Sequence, residues 1–63
     1  LILNDLKKLR KKIKVTQKDV ARNIGITTSY YGMIETGVRV PSLSTAIKLS
    51  KYFGLPVEKI FKN

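Results

Sequence analysis

Neither cysteine nor histidine occurs anywhere in the 63 residues. The first absence rules out disulfides and thiolate metal sites; the second removes the commonest metal ligand and the usual general base. Carboxylates are scarce as well, four Asp or Glu in all, and none pairs with another in sequence. Nothing is therefore placed to activate a nucleophile. The expectation is a protein that is not an enzyme and that uses no cofactor and no metal. A lack of cysteine also suits a reducing cytosol, so a cytoplasmic location is expected, nucleoid-associated when bound. Long apolar runs are missing too. None approaches the roughly 20 residues that cross a bilayer, and Leu1 to Leu3 is far too short for a signal-peptide core. The first residue is not Met, which fits either a processed product or a piece of a longer protein.

What is present is positive charge. Thirteen Lys or Arg against four Asp or Glu give a formal net charge of +9. On so short a chain this favours an anionic partner, nucleic acid first and an acidic membrane surface second. The apolar residues, 43% of the total, come in short periodic groups, which fits a globular domain and not a disordered tail. A chain of this length makes a single domain, residues 1–63, and buries only about 60% of its unfolded surface.

Five short helices are expected, at about 4–13, 17–24, 28–36, 43–53 and 56–61, with no strand. In the first, Leu6, Leu9 and Ile13 fall at helical spacing and Asn4 is available as N-cap. Thr16 caps the second, and Asp19 three residues on completes a capping-box pattern. Val20 and Ile24 share one face, and Gly25 supplies a left-handed stop. Thr27 caps the third helix, which Gly37 ends. Pro41 disfavours helix at Val40, and Ser42 caps the fourth. There Ala46, Leu49, Ser50 and Phe53 make one face, with Leu43 beside it. Pro56 suits the first turn of the last helix, where Val57, Ile60 and Phe61 point inward.

A helix, a glycine, a short turn and a second helix make a helix-turn-helix unit. In the DNA-binding version the second helix lies in the major groove and its N-terminal residues meet base edges. That role explains the stretch GITTSYYGMIETG, residues 25–37. The short hydroxyl side chains of Thr27, Thr28 and Ser29 let the backbone come close and can donate or accept at either base edge. Gly32, in a helix interior, costs roughly 0.5–1 kcal/mol relative to alanine. Two readings of it stand: close approach to DNA, or room for a neighbouring helix.

These residues carry a resemblance. Residues 16–61 are similar to the phage-repressor type of helix-turn-helix, the Cro/C1-like or XRE family. Its pattern has Gln at the start of the second helix, Ala and Gly inside the unit, Glu-x-Gly after the recognition helix and Pro-Ser before the fourth helix. Here those are Gln17, Ala21, Gly25, Glu35 with Gly37, and Pro41 with Ser42. The likeness covers nearly the whole chain, in order and without a gap. It implies a compact, all-α, five-helix lambda-repressor-like domain that binds double-stranded DNA.

Carried over position by position, the resemblance gives Gln17 a phosphate contact and a role in bracing the recognition helix. Thr27, Thr28 and Ser29 cover phosphate and base contacts, with Gly32 and Met33 at the next outward positions. Tyr30 reaches a phosphate with its hydroxyl, and Arg39 adds another from the following loop. Arg10 and Glu35 match a structural salt bridge between the first and third helices. Departures concern Thr28 and Met33, where longer polar side chains are common, so readout leans on DNA shape and thymine methyls. Lys14 stands where Gly is frequent. Tyr31 replaces a branched aliphatic residue, and its ring is read as core.

Plainer readings stand beside these. Lys7, Lys8 and Lys11 are taken as solvated, and Lys12 and Lys14 as complements of the helix dipole. Lys18, counted with the DNA-binding set, and Arg22 either line the backbone or face water. Ile47 and Tyr52 are exposed residues or part of a dimer contact. The expected function is a transcriptional repressor whose homodimer occupies successive major grooves of a near-palindromic operator. Variants of the same module serve as antitoxins or restriction-system controllers, with a toxin or sensor domain as possible partner. A membrane-active peptide is disfavoured, because the helices are short, capped and separated by Gly and Pro.

Overall fold

Local capping chemistry starts three of the five helices of the computed structural model, which describes residues 3–62. The elements in chain order are β1 (Leu3–Asn4), α1 (Leu6–Lys12), α2 (Gln17–Ile24), α3 (Thr28–Glu35), α4 (Leu43–Phe53), α5 (Val57–Ile60) and β2 (Phe61–Lys62). At the head of α2 the Thr16 hydroxyl accepts from the Asp19 N–H at 3.0 Å, and the Asp19 carboxylate accepts from the Thr16 N–H at 2.9 Å. These bonds lower the Asp19 pKa, the one from the Thr16 backbone most. Thr27 and Ser42 accept from the N–H of Tyr30 and Thr45 and so open α3 and α4. Gly25 closes α2 at φ 76°, a conformation that suits glycine because it has no Cβ.

The amino terminus departs from expectation. Asn4 is not the N-cap of α1; Asp5 holds that place without a side-chain cap bond. Asn4 lies in β1, which pairs antiparallel with β2, Leu3 facing Lys62 and Asn4 facing Phe61. The expectation of no strand is thus corrected. A two-residue pairing between the chain's two ends leaves no periodic signal to read. It also moves Phe61 out of the last helix. A Lys62 to Asp5 ion pair of 2.7 Å reinforces the closure, and its hydrogen bond lowers the Asp5 pKa. The helix α1 stops at Lys12, and Lys14 takes a left-handed φ of 60°. Ile13 is consequently not core; it is half exposed.

The core draws on every helix: Leu6 from α1, Val20, Ala21 and Ile24 from α2, Tyr31 and Ile34 from α3, Leu49 from α4 and Ile60 from α5. Each fully buried aliphatic side chain contributes about 1.5–3 kcal/mol relative to exposure. Tyr52 and Phe53 pack against this cluster and meet edge to face, ring centroids 4.9 Å apart. Leu43, read as lying beside the core stripe of α4, points to solvent and is 77% exposed. No helix among the described residues is long and apolar enough to cross a membrane.

Candidate nucleic-acid interface

The α2–α3 unit is built around one tight turn. Beyond Gly25, the N–H of Ile26 donates to the Ala21 carbonyl at 3.0 Å, and the half-buried Ile26 packs against the core. That anchor brings the chain straight into the Thr27 cap. Thr27, Thr28 and Ser29 all face solvent. Their hydroxyls stand at a helix N-terminus, where free N–H groups and positive partial charge favour phosphate.

The opposite end of α3 is fastened inside the protein. Arg10 grips Glu35 with two bonds, Nε to Oε2 at 3.0 Å and an NH2 to Oε1 at 2.9 Å. The two side chains are only 13% and 4% exposed. A further Arg10 nitrogen donates to the Val15 carbonyl at 3.1 Å. Gln17, at the first turn of α2, donates its amide to Glu35 Oε1 at 3.2 Å. One carboxylate thus ties together α1, α2 and α3. Burial alone pushes the Glu35 carboxyl up; hydrogen bonding and charge from Arg10, aided by the neighbouring Tyr31 hydroxyl and by Gln17, outweigh it and hold the pKa below its ordinary value. The same bonds raise the Arg10 pKa. Tyr31 lies against the pair, and burial drives its phenol pKa well up. Its hydroxyl is buried without a hydrogen bond of good geometry.

Gln17 also lies over Gly32. A Cβ built on Gly32 would sit 3.6 Å from Gln17 Oε1, an ordinary contact with a flexible side chain. Helix packing therefore does not demand glycine at this position. Met33 is half-buried beside it. The hydroxyl of Tyr30 accepts from the Ser42 N–H at 3.3 Å, which leaves its own proton free to donate elsewhere. Lys18 and Arg39 are exposed on α2 and on the loop after α3, and take no part in the Glu35 cluster. A tie that sequence reasoning missed comes from Asn4, whose amide donates to the Ile34 carbonyl at 3.0 Å. Those two residues are 30 apart, and no local pattern announces the contact.

Comparison with known proteins agrees with this geometry. The helix-turn-helix family model matches residues 6–60. An uncharacterized HTH-type transcriptional regulator of Methanocaldococcus jannaschii is 40% identical over 58 residues, 92% of this chain and 88% of the relative. Control protein C.MunI of Mycoplasma sp is 38% identical over 61 residues, 95% of this chain and 82% of the relative. The cryptic phage CTXphi transcriptional repressor RstR of Vibrio cholerae is 33% identical over 55 residues, 87% of this chain and 50% of the relative.

Proposed function

This chain belongs to the helix-turn-helix family, a DNA-binding transcriptional regulator, and we propose that it represses by laying α3 in the major groove of an operator. The observation that carries the reading is the polarity of α3: an exposed hydroxyl-bearing start, and an end held by Glu35 between Arg10 and Gln17. Thr28 and Met33 meet base edges. Thr27, Ser29, the Gln17 and Lys18 end of α2, the Tyr30 hydroxyl and Arg39 meet phosphate. Gly32 lets the backbone come close. Two copies occupy successive major grooves of a near-palindromic site, about 34–36 Å or a multiple apart, and block transcription sterically.

Selection from random duplex DNA, followed by sequencing, tests this reading. A motif with two related half-sites is expected, with an affinity that falls steeply as salt rises. Arg39→Ala should weaken all sequences alike, whereas Thr28→Arg should change the preferred bases. An unchanged motif for Thr28→Arg would sink the assigned register.

A further inference from the structure

Away from the residues assigned to the duplex, the end of α2 with its Gly25 cap and the second half of α4 border an open groove of about 590 Å³. Arg22, Lys48 and Lys51 project around it, and all three are exposed. Its apolar lining comes from Ile24, part of the core, and from Tyr52, whose ring is braced by Phe53. The ion pairs among the described residues, Arg10 with Glu35 and Lys62 with Asp5, involve none of the three cations. Asp19 feels the charge of Arg22, but its carboxylate is held in the Thr16 capping box. None of the proposed duplex-contacting residues lines the groove.

We infer that this groove docks an acidic segment of a partner protein, carboxylates on Arg22, Lys48 and Lys51 and an apolar side chain over Ile24 and Tyr52. Charge selects the occupant. A second copy of this chain is excluded by its own surface, because it carries +9 and four carboxylates in all. Three of those are engaged, Asp5 by Lys62, Asp19 in its capping box and Glu35 by Arg10. The open shape argues against a small anion, since small-molecule sites bury 70–90% of their ligand. A phosphate backbone would use the cations but not the apolar lining. An acidic segment with interspersed apolar residues uses both, and it leaves α3 free, so a partner can be held while the duplex is bound.

The test is fluorescence anisotropy of a labelled glutamate-rich peptide with scattered leucines, at about 0.1 M salt, where screening limits non-specific attraction. It is run with the free protein and with the protein saturated by its selected duplex. The double substitution Lys48→Ala with Lys51→Ala should weaken the peptide about tenfold, as expected for losing two exposed charge contacts. Lys7→Ala with Lys8→Ala, an equal charge change on α1, should alter it less than about twofold. Binding to the duplex-saturated protein should persist. Equal weakening by the two pairs, or displacement of the peptide by duplex, overturns the inference. So does a loss of duplex affinity in the Lys48, Lys51 variant as large as that from Arg39→Ala, which would make the groove part of the DNA footprint. A single-stranded oligonucleotide outbinding the peptide at the same lysines also overturns it. The free-protein arm reads the groove even if duplex binding fails, so the two failures remain distinct.

Discussion

The two ends of α3 follow opposite rules. Its last turn is fastened by a buried charge pair and by Ile34, while its first turn exposes three hydroxyl residues to solvent. The three hydroxyl residues, unlike Tyr30 and Tyr31 that follow them, bury nothing in the core, so their side chains are free to serve recognition. Glu35 in the last turn cannot change without disturbing three helices. An eight-residue helix is too short to be stable alone. The anchored end therefore supplies the rigidity that the open end uses.

Breaking the anchor should have the largest effect. Glu35→Ala leaves the Arg10 guanidinium buried without its partner and should cost about 3 kcal/mol, read by urea unfolding. For a domain this small that loss removes most of the stability. A loss below about 1 kcal/mol would show that the pair does not anchor α3.

The same carboxylate sets an acid limit. Its folded pKa is depressed, so the stabilisation is fully present above the unfolded value near 4.3 and is lost as pH falls through the folded pKa. Urea midpoints should hold between neutral pH and about 5, then decline. Glu35→Gln, less stable at neutrality, should show a shallower decline. Parallel profiles for the two proteins would assign the acid loss to other carboxylates.

The open end should respond differently. Thr27→Ala removes the cap of α3 and should cost about 1 kcal/mol, with duplex affinity falling further than stability accounts for. Equal effects on both would reduce Thr27 to a cap. The smallest effect sharpens the contrast most. Gly32→Ala fits the space beside Gln17 and should raise stability by about 0.5–1 kcal/mol, yet weaken the duplex complex. Lower stability would reveal a packing need, and unchanged binding would remove Gly32 from the interface.

Parts of this architecture are legible in the chain because they are local. A cap links residues three apart, as in Thr16 with Asp19 or Ser42 with Thr45, and a glycine stop needs only its own φ. The candidate site is legible to the same depth, since the hydroxyls of α3 follow directly from the Gly25 turn. Other features have no local signature. The Tyr30 hydroxyl is used by Ser42, twelve positions on. Ile13 looks like a third core residue by spacing, but the helix ends before it and leaves it exposed.

Composition by itself determined the excess of positive charge, and capping and helical periodicity determined the five short helices, because those signals depend on residues within a turn of one another. The family resemblance implied the Arg10–Glu35 pair, and the structure has it; only the tertiary structure decided that Gln17 shares that carboxylate, that the chain's two ends pair as strands, and that three cations line one groove beside Tyr52. Those facts depend on partners many residues apart, brought together only when the helices pack.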